Sequence, residues 1–177
     1  MMAATDEKTE RCAVTPVELE AAIKAIVQSE FGKEAPVTAF PDNIESHKML
    51  GNAEILLGYR GGSFDMPKLG TQAQMRNISF ELVVISRSMS GHSGAMELLE
   101  RLRLALQGKK LKGIMSPIRI SKDTFMGRTV GQWWYSLEII LIGVPAFARP
   151  PEADKPISHI IARDAYTNEI ILDEVKQ

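Results

Sequence analysis

The stretch that decides the fold is "GQWWYSLEIILIG", residues 131–143, which has the pattern of a long β-strand. From Tyr135 onward every second residue is large and apolar, and the residues between them change from polar to apolar. Successive side chains of a strand point to opposite faces of a sheet, so Trp133 and Trp134 lie on different faces. We expect Trp133 to join the hydrophobic core and Trp134 to lie on a second, mixed face.

Residues 76–86, "RNISFELVVIS", repeat this pattern. Both strands carry the motif S-x-E-x-[VI]-x-I on one face and an unbroken apolar row on the other. We therefore place them side by side in the centre of one sheet, with helices on the fully apolar face. The second face is more hydrophobic than a sheet face left in water, so a loop, the C-terminal segment or another copy of the chain is expected to cover part of it.

Two segments have the signals of amphipathic helices. Residues 15–32 begin with a capping threonine, a proline and a glutamate three positions after the cap, and they end in a glycine. Residues 94–107 have apolar side chains at helical spacing and are followed by Gly108. Further β-prone segments are residues 37–40, 53–60 and 116–125, the last of them an edge strand.

The order of these segments predicts an α+β fold. A helix between the third and fourth strands, followed by a hairpin to the fifth, favours a split βαβ arrangement with spatial order two, three, five, four. The predicted sheet is mainly antiparallel, with four to five strands, two helices on one face and a C-terminal hairpin arm. Residues 61–75 are predicted to be a long, mobile loop that becomes ordered on assembly.

Composition predicts segment boundaries along the chain but points to no catalytic or ligand-binding activity. We predict a flexible leader at 1–13, one domain at 14–147, a proline-rich linker at 148–156 and an arm at 157–177. With 45% hydrophobic residues and a formal net charge of -1, the chain resembles an ordinary soluble protein and gives no global signal for nucleic acid or membrane binding. Its one cysteine excludes an internal disulfide and a multi-thiolate zinc site, which suits the cytoplasm.

The strongest catalytic candidate is "SGHSGAM", residues 90–96. Ser93 lies between a strand and a helix, as in a degraded nucleophile elbow, and His159 and Asp154 are the conceivable triad partners. A plain helix cap explains Ser93 better, so a small serine hydrolase using Ser93 and His159 stays an alternative.

Two further polar clusters have simple structural explanations. Asp42, Glu45 and His47 could approach a cation, but a solvated turn is favoured, and we predict no metal and no cofactor. Lys109, Lys110 and Lys112 complement the dipole at the end of the second helix. Contact of this cluster with a DNA backbone would be non-specific and salt-dependent.

The order of elements resembles the tail-terminator proteins of long-tailed phages, especially a group found in Mu-like prophages. The resemblance spans roughly residues 14–147. It is carried by a strand with the pattern F-E-L-x-V, a helix with L-L-E-x-L-R-x-A-L-x-G and a strand with W-x-Y-x-L-E.

The resemblance implies a structural protein with no enzymatic activity. Such proteins form a hexameric ring that caps the growing tail tube and presents a surface to the head, and DNA passes through the hole. The implied partners are further copies of the chain, tail-tube proteins and head–tail connector proteins, first in the host cytoplasm and then in the virion tail. A cytoplasmic regulatory or ligand-binding module of prophage origin is a further alternative.

A ring would use the mixed sheet face and repeat the lysines around its axis. We expect the lysine cluster, Lys109, Lys110 and Lys112, to face the lumen or a ring surface. The residues expected at the interface between subunits are Trp134, Glu138, Ile140, Ile142, Val83 and Ile85.

Overall fold

The computed structural model describes residues 14–41, 47–49, 51–66, 73–147, 159–163 and 170–175. The predicted leader and linker lie outside these residues. The helices are α1 (Pro16–Phe31) and α2 (Ala95–Leu106). The strands are β1 (Val37–Ala39), β2 (Ala53–Phe64), β3 (Ala73–Ser86), β4 (Arg119–Thr129), β5 (Gln132–Phe147), β6 (His159–Arg163) and β7 (Ile170–Val175).

Five strands form one sheet in the order β1-β2-β3-β5-β4. The short β1 pairs with β2 in parallel, whereas the β2–β3 and β4–β5 pairs are antiparallel. Asn77 accepts a hydrogen bond from the Gly143 amide and Glu81 accepts one from Ser136, so β3 and β5 also run in opposite directions. The predicted α+β fold, its spatial order and the edge position of β4 are confirmed.

The two helices form for local reasons visible in the sequence. Thr15 caps α1 in a full capping box with Glu18, Pro16 occupies the first turn, and Gly32 closes the helix with a positive φ of 55°. Gly94 occupies the cap position of α2, so this helix begins without a side-chain cap. A Cβ at Gly94 would lie 2.5 Å from the Ser90 carbonyl carbon, so only glycine fits this tight loop.

One face of the sheet and both helices enclose the main hydrophobic core. Leu19 and Ile23 of α1 and Leu98 and Leu102 of α2 are fully buried against it. The strand residues that meet them are the predicted apolar rows of β3 and β5, namely Ile78, Phe80, Leu82, Val84, Leu137, Ile139 and Leu141.

The β2–β3 hairpin is longer than the sequence predicts. β2 continues to Phe64 and β3 begins at Ala73, so much of the predicted loop at 61–75 is strand; its residues 67–72 lie outside the described part. A bulge between Tyr59 and Gly61, where Gly61 has a φ of 129°, lets the strand continue through "GGSF". The extension is largely exposed and carries no apolar alternation, so periodicity does not reveal it.

The chain divides into two compact units, residues 1–146 and 147–177. The second unit contains β6 and β7, which pair antiparallel in a sheet of their own. The predicted hairpin arm is therefore present as a two-stranded element.

Candidate assembly surface

The face of the sheet turned away from the helices is divided into a covered end and an open end. At the covered end, Leu56, Val83 and Ile85 are fully buried, and Met49 packs on them. Phe40 and Trp134 complete this second-face cluster. Val83 and Ile85 therefore have no exposed surface for a neighbouring subunit, because other parts of the same chain already cover them.

A polar network separates the two ends. The Glu81 carboxylate accepts a hydrogen bond from the Ser136 hydroxyl at 2.5 Å. It also forms an ion pair with the Arg60 guanidinium, at 3.1 Å. Beside it, the Lys122 ammonium lies 3.4 Å from the Glu138 carboxylate. Both carboxylates in the middle of the face thus have cationic partners, as burial of charge requires.

The open end holds a cleft of about 580 Å³, which we call the second-face cleft. Its apolar wall is formed by Ile140 and Ile142 of β5, both half-buried. Gly62 forms part of the opposite wall, and a Cβ there would lie 2.7 Å from the Asn77 carbonyl oxygen. The other lining residues are Arg60, Gly61, Ser63, Asn77, Ser79 and Glu138.

The second-face cleft combines paired charges with partly exposed apolar side chains. Its polar residues Glu138 and Arg60 are paired with other side chains, while two isoleucines stay partly open to water. Among the described residues, no group of three or more histidine, cysteine, aspartate or glutamate side chains could hold a metal ion. An apolar wall with a polar rim is typical of surfaces that bind another protein.

The two tryptophans lie on opposite faces, as strand parity predicts, but Trp133 does not have its expected place. Trp134 packs against the second-face cluster, and its indole nitrogen is buried without a hydrogen-bond partner among the described groups. Trp133 is only half-buried and contacts the Phe125 ring at 6.0 Å, with the Arg128 guanidinium 5.2 Å from its own ring. The expectation that Trp133 joins the helix-covered core is wrong, because the buried row of β5 begins only at Leu137.

Ser93 forms a hydrogen bond with a distant side chain. It lies one residue before the cap of α2, so the predicted helix cap is wrong, and its hydroxyl donates to the Glu34 carboxylate at 3.1 Å. The Arg101 guanidinium donates to the other oxygen of Glu34 at 3.0 Å and lies 4.7 Å from the Phe31 ring. The side chain of His159 lies outside the described part.

This contact joins the end of α1 to the start of α2 and holds Glu34 ionised. The hydrogen bond from Arg101 is the main cause that lowers the pKa of Glu34, and the Ser93 hydroxyl acts in the same direction. A carboxylate whose pKa is lowered is a poorer base, so Glu34 is unsuited to activate the serine. Ser93, Glu34 and Arg101 form a clamp between helices.

The clamp gives a pH-dependent prediction. Glu34→Gln is expected to lower the free energy of unfolding by about 1 kcal/mol at pH 7, because Arg101 loses its ionised partner. Since the folded-state pKa is lowered, this stability is present above the ordinary glutamate pKa and is lost as the pH falls through the folded value. Urea unfolding at pH 7 and pH 3 measures the difference, which should shrink at pH 3. Glu97→Gln, at an exposed carboxylate of α2, is the control; an equal loss there would contradict the clamp.

The other predicted polar sites are placed as follows. The His47 imidazole lies 2.9 Å from the buried Glu54 carboxylate, which also accepts a hydrogen bond from Thr38; Asp42 and Glu45 lie outside the described residues. The lysine cluster, Lys109, Lys110 and Lys112, is exposed, and none of its members forms an ion pair with a described residue. The Ile118 amide donates to the Lys109 carbonyl, which places the cluster beside the start of β4.

Comparison with known proteins gives the chain a family. A sequence model described as Gp37 protein matches residues 30–159, well over half of the chain. The chain belongs to the Gp37 family. The Gp37 match includes the whole five-stranded sheet and the second-face cleft, and it ends at the first residue of β6.

The fold also occurs in a solved particle. A chain of the structure described as "Virion of native gene transfer agent (GTA) particle" is similar to this Gp37-family chain with a TM-score of 0.50 and 14% sequence identity. The likeness covers 72% of this chain and 90% of that chain. At this identity it shows a shared fold. No curated protein sequence matches the chain significantly, and no helix within the described residues has the length and hydrophobicity needed to cross a membrane.

Proposed function

We propose that the protein is a structural component of a phage-like particle, in which it forms a homo-oligomeric ring of six copies. The ring terminates or caps the tail tube and supports joining of the head. It works without enzymatic activity, in the host cytoplasm during assembly and afterwards in the virion tail. Its partners are further copies of the chain, tail-tube proteins and head–tail connector proteins.

The observation that carries the proposal is the likeness to a chain of a virion particle over 90% of that chain's length. The sequence pattern that resembles tail terminators supports the finer assignment to the end of a tail. A particle subunit needs surfaces for repeated contact, and the chain has a cleft with two half-exposed isoleucines on a sheet face that the helices leave free.

The proposed contact between subunits is centred on Ile140 and Ile142, with Glu138 at the rim. Trp134 contributes the part of its ring that the second-face cluster leaves exposed. Val83 and Ile85, which the sequence also suggests for this contact, lie beneath Met49 and support the surface from within. An apolar centre with a polar rim is the usual arrangement of an interface between proteins.

The proposed termination of the tail is tested by deleting the gene in a host that produces the particle. Without a terminator, nothing stops polymerisation of the tail tube. Electron microscopy should therefore show tails of variable and excessive length that lack heads. Expression of the wild-type chain from a plasmid is the control and should restore uniform, head-bearing tails. Tails of normal length in the deletion strain would contradict the proposal.

The lysine cluster is proposed to face the lumen or a ring surface. Replacing Lys109, Lys110 and Lys112 with alanine should leave the oligomer intact, because the three side chains are exposed and form no ion pair with a described residue. Binding of the assembled protein to duplex DNA should weaken, and the slope of log affinity against log salt should become shallower by roughly one for each lost phosphate contact. Filter binding across a salt series measures both.

Loss of assembly in the triple alanine variant would contradict this placement of the lysines. Lys24→Ala, at an exposed site on α1, is the matched control. It should change neither the oligomer nor the salt slope.

A further inference from the structure

The outer edge of β4 has no strand partner in the five-stranded sheet. The segment at Gly108 and Lys109 pairs with Ile118 and so covers only the approach to this edge. From Arg119 onward, most residues of the strand are exposed, and no described strand pairs with its outer edge. An open edge of this length is a template for another strand unless the protein blocks it.

The edge is partly blocked, in a way that selects a short partner. Register shifts fall between Ile120 and Lys122 and between Phe125 and Gly127, and only residues 122–125 between them are regular. Such bulges twist an edge and stop long, repetitive pairing. A short strand can still pair beside the regular stretch.

The edge is also basic. β4 carries Arg119, Lys122 and Arg128 against the single carboxylate Asp123, a formal charge of +2. Arg119 is exposed and forms no ion pair with a described residue. A partner for this edge should therefore be acidic.

The chain itself contains a short and acidic two-stranded element. β6 has five residues and β7 has six, and the two pair only with each other. Residues 159–175 contain one arginine and four carboxylates, a formal charge of -3. An isolated two-stranded hairpin is at best marginally stable in water, so the arm needs a surface on which to pack.

We propose that the β6–β7 arm of one copy docks along the β4 edge of a second copy and extends its sheet. Both sides offer short strands, and their formal charges are opposite; two adjacent carboxylates of the arm, Asp173 and Glu174, belong to β7. Eleven residues, 148–158, separate β5 from β6 and can span up to about 36 Å, enough to reach a neighbour in contact. The inference rests on the self-assembly proposed above and names a contact distinct from the second-face cleft.

Charge exchange between two full-length variants tests the docking. The edge variant combines Arg119→Glu with Ser121→Glu, which leaves the Lys122–Glu138 ion pair in place. The arm variant combines Asp173→Lys with Glu174→Lys. Each variant alone places like charges at the contact, so its association measured by sedimentation velocity should weaken by about tenfold or more.

Mixing the two variants in equal amounts should restore association to nearly the wild-type level, because both types of mixed contact are then complementary. Restoration on mixing also shows that neither variant has failed to fold. Ala21→Glu with Lys24→Glu makes the same charge change on the exposed side of α1 and should associate like the wild type.

Three results would overturn the inference, and they can be told apart. If both variants associate as well as the wild type, which itself assembles, the arm contact is excluded but the proposed ring is not. Variants whose association is weakened and is not restored by mixing contradict a complementary contact between the arm and the β4 edge. If the wild-type chain never self-associates, both the ring and the arm contact are excluded.

Discussion

Replacing Ile140 and Ile142 with glutamine is expected to abolish self-association at micromolar concentration while leaving the chain folded. Both side chains form the apolar wall of the second-face cleft and are half-buried in the single chain. Burying an amide without a partner costs about 1–3 kcal/mol, so two such groups should weaken association by roughly a hundredfold or more. Light scattering measures the association, and thermal unfolding checks the fold.

The substitutions are neutral, so any loss cannot come from the charge effects that govern the arm contact. Val17→Gln with Leu104→Gln is the matched control, because these residues are 75% and 61% exposed on the two helices. The control should assemble like the wild type. If the cleft variant does so as well, the second-face cleft is not the contact between subunits.

Trp134→Ala is expected to lower the free energy of unfolding by about 2–4 kcal/mol, and Trp133→Ala by only about 1 kcal/mol. Trp134 covers the buried second-face cluster, so its removal opens a cavity over Leu56 and Ile85. Trp133 loses one ring contact and one cation–π contact on a half-exposed surface. Urea unfolding of the two variants measures the difference.

A second variant shows that the loss of stability in Trp134→Ala comes from the missing ring and not from a lost hydrogen bond. Because its indole nitrogen has no partner among the described groups, Trp134→Phe keeps an apolar ring and removes an unsatisfied donor. This variant should lose less than about 1 kcal/mol. A larger loss for Trp133→Ala than for Trp134→Ala would contradict the described packing.

The sequence predicts those parts of the fold that depend on local pattern. Side-chain alternation in β3 and β5 is sufficient to place the two strands together and to identify the core row from Ile78 to Val84. The capping box of α1 predicts where that helix begins, because Thr15 and Glu18 satisfy each other's backbone donors. The edge position of β4 follows from the handedness and order of connections.

Other features depend on contacts between distant segments and carry no local pattern. Met49 covers the second-face cluster from a turn-rich segment with no apolar period, so the sequence predicts that part of this face is covered but does not identify Met49 as the cover. Strand parity places Trp133 on the helix side, but it does not say where the helices end. Ser93 sits next to a helix start, yet its partner Glu34 is 59 residues away in sequence.

The candidate surface was predictable only in part. The parity of β5 identifies Ile140 and Ile142 as residues of the second face, which the structure places in an open cleft. The glycines that form the opposite wall belong to the stretch predicted as a loop. Their role depends on the close approach of Gly62 to the Asn77 carbonyl, a tertiary contact without a sequence signal.

The central claim, a ring of six copies, is tested most directly by light scattering of the purified chain combined with negative-stain electron microscopy. The ring predicts a particle of six times the 19.6 kDa subunit mass, with a central hole and six-fold views. Measuring the purified chain over a range of concentrations, with and without isolated tail tubes, tests assembly both in solution and on the tube. A particle of one subunit mass in every sample, and no rings on the tube ends, would contradict the account.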